Sequence, residues 1–246
     1  MSASDLRRTA AFRASFARRQ AAEVRESEGC MTVLDPDYAA SHEHNQLVVD
    51  GSPSPSRLLA RALPHRRITV LDDAVGTACA PLLTAAGYEH EAELVMTYSG
   101  VGAETGGSAE EVALDDLLPA VTRQLRVWMP NASQDVVRQL AERRTARRRG
   151  AADVRFIAAR AEDGTIASWA DLYLDGDQRI GQIEDLVTAD AHTRRGHADA
   201  VLATALRLAA RSCDLFFLMA DAEDWPHTWY ARRGFTPIGR SHVFTR

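Results

Sequence analysis

Apolar and polar residues in the second half of the chain follow patterns that predict a defined order of helices and strands. A short strand is predicted over residues 111–114, and an amphipathic helix follows over residues 115–128. Ser133 can cap a second helix, over residues 134–148, which ends at Gly150.

Three strands with turn residues between them come next. They are predicted over residues 154–161, 165–174 and 179–187, and the segments between them contain the Asp and Gly residues of tight turns. Such strands form an antiparallel meander. A helix is then predicted over residues 198–211.

The run Leu215–Met219 consists of five apolar residues, which is typical of a strand that is buried on both faces. A short helix over residues 225–232 and one or two strands over residues 235–244 close the chain. The predicted order is β-α-α-β-β-β-α-β-α-β. This order indicates an α/β fold with a mixed sheet.

The first half of the chain has a weaker copy of this pattern. Residues 45–50 and 67–72 are predicted strands, and residues 56–63 are a predicted helix. Pro81–Tyr88 resembles Trp229–Phe235, since each is a helix closed by glycine and an aromatic residue. The similarity predicts an internal duplication, and a chance match of two αβ units is the alternative.

The segment Ser99–Glu110 separates the two halves. It is rich in glycine and has no large apolar side chain other than Val101, so it has nothing to anchor it in a core. We therefore predict two lobes, over residues 1–105 and 111–246.

Composition narrows the class of protein. The formal net charge of -5 argues against a dedicated nucleic-acid binder. All 29 basic residues are arginine, which we attribute to the codon usage of a GC-rich bacterial genome. Three widely spaced cysteines suggest neither a disulfide framework nor a zinc site. Without an apolar run of roughly 20 residues or a signal-peptide core, the sequence predicts a cytoplasmic protein with no membrane partner.

The segment Thr193–Ala198 lies between a predicted strand and a predicted helix. A helix N-terminus exposes unpaired backbone N–H groups and the positive end of the helix dipole, so it can bind phosphate. Gly196 would let the backbone approach a diphosphate, and Arg194 and Arg195 would add positive charge. A solvated loop is the alternative, because this motif alone is not specific.

Three segments in the same order resemble the GNAT (Gcn5-related N-acetyltransferase) family. Ile183–Val187 is similar to the family's valine-ended strand, and Arg194–Ala198 to its Gln/Arg-x-x-Gly-x-Gly/Ala coenzyme A signature. Trp229–Phe235 is similar to the later Tyr-x-x-x-Gly-Phe segment. Thr193 departs from the family's glutamine or arginine, which puts one side-chain contact in doubt.

The resemblance implies a GNAT fold, with a central twisted mixed β-sheet flanked by helices in each of two GNAT-like lobes. It implies acetyl-CoA as cosubstrate and no metal. The strand would bind the pantetheine arm and the loop would bind the pyrophosphate. The implied coenzyme contacts are Leu186, Val187, Thr188, Arg194, Arg195, Gly196, His197 and Ala198.

The resemblance also implies where the thioester lies. It would sit between strands 183–187 and 215–219, which splay apart and leave backbone N–H groups to polarise its carbonyl. The first lobe is expected to be degenerate and to bind no coenzyme. It has Leu83 where the second lobe has its tyrosine, and no arginine–glycine loop precedes its helix at Ser56.

Tyr230 falls at the family's tyrosine position, four residues before Gly234. The resemblance implies that its hydroxyl protonates the departing thiolate of coenzyme A as a general acid. The alternative is a packed helix aromatic like Trp229.

Glu184 and Asp185 are adjacent on the central strand, so we expect their side chains on opposite faces. Ile183–Val187 is similar to the Leu-Glu-Asp-hydrophobic segment of spermidine/spermine-type acetyltransferases, in which the glutamate acts through water as a base. That resemblance makes Glu184 the candidate base for the ammonium proton of an acceptor. A structural ion pair with a neighbouring arginine is the alternative.

Two charged segments are weaker candidates. Asp221, Glu223 and Asp224 could form an acidic rim for a cationic substrate, although capping of the next helix explains them more simply. Arg143–Arg149 is expected to be a solvated helix end, with a tRNA or carrier-protein contact as the alternative.

These features predict an acyl-CoA-dependent N-acyltransferase that transfers an acetyl group from acetyl-CoA to a primary amine of a small molecule or peptide. One alternative is an acyl or aminoacyl transferase with a carrier-protein or tRNA donor. Another is a non-catalytic acetyl-CoA sensor, which would need neither Glu184 nor Tyr230. Nucleic acid is not an expected partner, and both a monomer and a homodimer fit the prediction.

Overall fold

The computed structural model describes residues 3–100 and 108–246, and these form two compact units. The first unit contains Met1–Thr97 and Met219–Arg246, and the second contains Tyr98–Leu218. Residues 101–107 of the predicted linker lie outside the described residues. The units differ from the predicted lobes 1–105 and 111–246 in the placement of Met219–Arg246, and the division into those lobes stays a prediction.

The helices and strands are numbered along the chain. The helices are α1 Ala3–Gln20, α2 Pro55–Ala62, α3 Asp73–Ala85, α4 Leu114–Trp128, α5 Gln134–Glu142, α6 Arg144–Arg147, α7 His197–Ala209 and α8 Pro226–Ala231. The strands are β1 Glu23–Ser27, β2 Cys30–Leu34, β3 Gln46–Val49, β4 Arg67–Val70, β5 Glu89–Tyr98, β6 Glu110–Val112, β7 Asp153–Arg160, β8 Ile166–Asp175, β9 Ile180–Thr188, β10 Leu215–Asp221 and β11 Phe235–Thr245.

In the first unit the strand order is β1-β2-β3-β4-β11-β5. Strands β3 and β4 are parallel, whereas β11 runs antiparallel to β4. Leu47 and Val49 pack against α2 and α3, while Val48 packs against α1 on the opposite face. The alternation of side chains along β3 therefore buries both faces of this sheet.

In the second unit the strand order is β6-β7-β8-β9-β10. The first four strands are antiparallel neighbours, and β10 is parallel to β9. Helices α4 and α5 pack on the face that carries Phe156 and Trp169, and α7 packs against β7, β8 and β9. Every residue of β8 is buried, including Asp171.

The predicted element order of the second half is confirmed. Local signals explain several of the boundaries: the Ser133 hydroxyl accepts a hydrogen bond from the Val136 N–H at the start of α5, and Gly164 takes a φ of 82° in the turn between β7 and β8. The helix predicted over residues 134–148 is interrupted at Arg143, which separates α5 from α6, and the predicted loop before α7 contains a 3-10 turn over Asp190–His192.

Each unit contains a helix that connects two neighbouring parallel strands. In the first unit α2 connects β3 and β4, and in the second α7 connects β9 and β10. This repeated arrangement is consistent with the predicted internal duplication.

Candidate active site

The loop before α7 takes a left-handed backbone conformation at two positions. Arg194 has a φ of 61° and Gly196 a φ of 80°, and Gly196 directly precedes the first helical residue, His197. A Cβ atom placed on Gly196 would have no other atom within 4 Å. The glycine is therefore favoured by its backbone conformation, and the space beside it is open.

This loop also concentrates positive charge at the start of a helix. Arg194 and Arg195 are exposed, and burial together with nearby His192 and Arg195 lowers the pKa of His197. The first amides of α7 have no acceptor inside the helix. The loop has the open backbone, the amides and the charge that a diphosphate requires, and the coenzyme contacts predicted for Arg194–Ala198 stay a prediction.

Strand β9 is paired unequally along its two edges. Its parallel register with β10 covers three residue pairs and ends at Gln182 and Phe217. Its antiparallel register with β8 continues to Thr188. Among the described residues, Val187 and Thr188 are therefore paired with a strand on one edge only, and the other edge is open at the end of β9 that leads to the loop.

A β-bulge lies in β9 directly after Glu184. The pairing with β8 steps from Glu184 and Asp171 to Val187 and Trp169, so two residues of β9 face a single residue of β8. One of the two, Asp185, has a φ of 49°. Aspartate is one of the few residue types other than glycine that tolerate this region.

Three arginines hold the carboxylate of Asp185. Its Oδ2 atom accepts hydrogen bonds from Arg147 at 2.6 Å, Arg144 at 2.8 Å and Arg143 at 3.4 Å. Arg144 and Arg147 also donate to the two oxygens of Asp171, at 2.9 and 2.6 Å. The side chains of Arg147 and Asp171 are 1% and 0% exposed. We call Arg144, Arg147, Asp171 and Asp185 the buried network.

The buried network shows that the expected placement of the two adjacent carboxylates was wrong. Asp171 is the cross-strand partner of Glu184, so these two side chains lie on one face of the sheet. A single nitrogen of Arg147 binds both Asp171 and Asp185. Asp185 therefore lies on that same face, because the bulge interrupts the alternation that would have turned it away.

The expectation of a solvated helix end over Arg143–Arg149 was also wrong for two of its arginines. Arg144 and Arg147 are 3% and 0% exposed, because Asp171 and Asp185 give them partners inside the protein. Arg148 and Arg149 are exposed, as expected.

Asp185 is a weak proton acceptor at neutral pH. Burial raises the pKa of its carboxyl, but the charges of Arg147, Arg144 and Arg143 outweigh burial and hold that pKa well below its usual range. Asp185 therefore stays ionised at neutral pH. Glu184 is half-buried, and its Oε2 accepts a hydrogen bond from the Gln182 amide at 2.5 Å.

Tyr230 lies on α8, in the first unit. Its side chain is buried, and its ring makes edge-to-face contacts with Trp229 and Phe235, with centroids 5.0 and 5.8 Å apart. These contacts fix the ring, and they fit both a packed aromatic and a positioned acid. The general-acid role stays a prediction.

The acidic residues after β10 bind nearby backbone amides. Asp221 accepts from the Glu223 N–H at 2.8 Å and Asp224 from the Trp225 N–H at 2.7 Å. Both carboxylates are thus used in local turns, whereas the start of α8 at Trp225 has no side-chain cap hydrogen bond, so the capping expected for these residues was wrong. Within the described ranges, no group of three or more His, Cys, Asp or Glu side chains could hold a metal ion, and no helix is long and apolar enough to span a membrane.

A model of the acetyltransferase (GNAT) family matches residues 120–235, which include Glu184, the loop before α7 and Tyr230. Residues 120–235 belong to the GNAT family. The three segments that resemble the family, Ile183–Val187, Arg194–Ala198 and Trp229–Phe235, all lie within it.

Solved structures with a similar fold cover most of the chain. A GCN5-related N-acetyltransferase from Kribbella flavida is 15% identical, with a TM-score of 0.63 and coverage of 97% of this chain and 95% of that one. A conserved protein of unknown function from Staphylococcus epidermidis is 11% identical, with a TM-score of 0.67 and coverage of 92% and 94%. A tandem GNAT protein from the clavulanic acid biosynthesis pathway is 16% identical, with a TM-score of 0.52 and coverage of 82% and 74%. At these identities the likeness shows the GNAT fold alone. No curated protein matches the chain significantly.

The loop before α2 in the first unit lacks the features of the GNAT loop before α7. A depression of about 450 Å³ lies there, but Pro53 and Pro55 each remove a backbone N–H from the segment that would cradle a diphosphate. Arg57 instead contacts the carboxylate of Glu28 at 3.5 Å. That the first lobe binds no coenzyme stays a prediction.

Two features of the sequence indicate the buried network. Val137, Ala141 and Arg144 are spaced by four and then three residues, which places Arg144 on the buried face of the helix pair. Asp171 lies in a long apolar strand, where a carboxylate needs a cationic partner.

Proposed function

We propose that this protein is an acyl-CoA-dependent N-acyltransferase that transfers an acetyl group from acetyl-CoA to the primary amine of a small molecule or peptide. The observation that carries the proposal is the open edge of β9, which leads directly into the left-handed, arginine-rich loop at the start of α7. An open strand edge suits the amides of a pantetheine arm, and the loop suits a diphosphate.

The proposed roles of the residues follow the order of the reaction. Acetyl-CoA supplies a thioester, to whose carbonyl carbon the acceptor nitrogen adds. Glu184 accepts, through water, the proton that the acceptor ammonium must lose before attack. As the C–N bond forms and the C–S bond breaks, Tyr230 donates its hydroxyl proton to the departing thiolate. The nitrogen loses its second proton to water as it becomes the amide, and solvent then returns a proton to Tyr230 and removes one from Glu184.

The burial of Arg144 and Arg147 weakens the case for a tRNA contact. Two arginines of the basic run are occupied by Asp171 and Asp185 inside the protein. A free coenzyme thioester is therefore the preferred donor. A non-catalytic sensor is distinguished from an enzyme by whether acetyl-CoA is turned over.

We expect one acetyl-CoA to bind per chain, and a screen of primary amines to release free coenzyme A thiol. Isothermal titration with acetyl-CoA gives the stoichiometry, and a thiol reagent follows turnover. Two equivalent sites would contradict the degenerate first lobe. Binding without turnover on any amine or peptide would favour the sensor, and absence of binding would favour a carrier-bound or tRNA-bound donor.

Tyr230→Phe should lower turnover by about 10²-fold or more while acetyl-CoA affinity is kept, because only the proton donor is removed. The loss should not shrink at high pH, since a deprotonated acceptor does not help a thiolate to leave. Trp229→Phe, which changes the neighbouring aromatic, is the matched control for packing. Equal turnover of Tyr230→Phe and wild type across pH 6–9 would leave Tyr230 as a packed aromatic.

A further inference from the structure

The buried network joins α6 to the point of β9 where the strand changes course. Asp171 on β8 and Asp185 on β9 are bound by the same two arginines, at distances between 2.6 and 2.9 Å. The side chain of Arg144 is 4% exposed and that of Arg147 1%. Each arginine thus bridges the two carboxylates, and charge-assisted hydrogen bonds of this kind are short and strong.

The residues on both sides of Asp185 in the sequence are ones that we propose to act in the reaction. Asp185 directly follows Glu184, the proposed base, and precedes Leu186 and Val187, the proposed contacts of the pantetheine arm. A change of backbone conformation at Asp185 would move the residues on both sides of it. The left-handed conformation is tolerated by aspartate but not preferred, so contacts elsewhere must hold it.

The charges make the contacts interdependent. Asp185 accepts from three guanidinium groups, and Asp171 shares two of them. If either carboxylate is removed, the buried arginines keep their positive charge with one fewer counterion. Charge balance therefore ties the geometry of α6 to the bulge of β9.

We propose that Arg144 and Arg147 are positioning residues for acetyl transfer, which act by holding the Asp185 bulge and thereby orienting Glu184 and the open edge of β9. This inference rests on the proposed function. Neither arginine is a catalytic residue, since each acts through Asp185. The alternative is that the network only fastens α6 to the sheet.

The test compares three variants with the wild type. Asp185→Asn keeps the size and the tolerance of the left-handed conformation but removes the charge. Arg147→Lys keeps the charge but replaces the rigid, planar guanidinium with a smaller ammonium on a flexible chain. Val137→Ala is the control: it shortens a buried side chain of α5, so it should lower thermal stability without touching the network.

For each variant, calorimetry with acetyl-CoA gives affinity, and thiol release with an amine found in the screen gives kcat and KM. Hydrogen exchange of the Glu184–Val187 amides reports the bulge directly. We expect Asp185→Asn to lower kcat on the order of 10²-fold, as for a misplaced catalytic group, with acetyl-CoA affinity changed by less than about threefold. The kcat of Arg147→Lys should lie between that of Asp185→Asn and that of the wild type. Hydrogen exchange of the Glu184–Val187 amides should be faster in Asp185→Asn and in Arg147→Lys than in the wild type. It should be unchanged in Val137→Ala.

The proposal is overturned if Asp185→Asn and Arg147→Lys keep wild-type kcat at a temperature where they are folded, whatever their loss of thermal stability. It is also overturned if their exchange across Glu184–Val187 equals that of Val137→Ala. Failure of the proposed function gives a different result, because the wild type itself would then release no thiol from acetyl-CoA. Should Asp185→Asn fail to fold, Arg147→Lys alone decides by the same two measurements.

Discussion

Glu184→Gln is expected to keep acetyl-CoA affinity but to lose turnover by about 10²–10⁴-fold at neutral pH, the range usual for a general base. The glutamine can still accept the hydrogen bond that Gln182 donates to Glu184, so the local structure should persist. The loss should shrink as pH rises, because an amine that is already deprotonated needs no base. Turnover measured between pH 6 and 10 with a saturating amine gives this profile.

A second carboxylate of the same unit provides the control for Glu184→Gln. Glu162→Gln removes one carboxylate from an exposed turn of the same unit and should leave turnover unchanged. Normal turnover of Glu184→Gln on the true acceptor at neutral pH would refute the assignment. Asp185 is a weak substitute for that role, because the three arginines around it hold the pKa of its carboxyl well below its usual range.

Gly196→Asp is expected to weaken acetyl-CoA binding by about 10²-fold or more, since like charges brought together at a binding site cost several kcal/mol. Gly196→Asn is the matched control. Asn and Asp have nearly the same size and both tolerate the left-handed conformation that Gly196 adopts, so the two variants share backbone strain and differ in charge. Titration calorimetry on both folded variants separates the two effects.

Salt gives a second measurement on the same pair of variants. The difference in affinity between Gly196→Asp and Gly196→Asn should narrow as ionic strength rises, because the loop is exposed and its charges are screened. Equal affinities for the two variants at low salt would show that the diphosphate does not lie against this loop.

The order of elements in the second half could be predicted because each element has a local signal. The turn glycines, the Ser133 cap and the apolar run that begins at Leu215 act over a few residues, and the structure has an element at each predicted place. The end of the β9–β10 pairing was expected from family resemblance, and periodicity alone does not indicate it.

The candidate base and its surroundings were less predictable because they depend on contacts distant in sequence. In a regular strand, the side chains of Glu184 and Asp185 would lie on opposite faces of the sheet. The bulge adds one residue to β9 relative to β8, and it places both side chains on the same face. The sequence predicts a solvated helix end over Arg143–Arg149, because the counterions Asp171 and Asp185 lie more than 20 positions later in the chain. The position of β11 in the first unit could not be predicted for the same reason, because its partner β4 lies far from it in the sequence.

The pairing of β11 with β4 has a consequence for synthesis of the chain. Phe244 packs in the same core as Leu47 and Ile68, so the first unit lacks part of its core and a neighbour for β4 until β11 has been synthesised. Domains that are continuous in sequence can fold as they emerge, N-terminal first. Here strands β1 to β4 are made long before β11 and cannot complete their sheet without it, and until then β4 presents an open edge at which chains can aggregate.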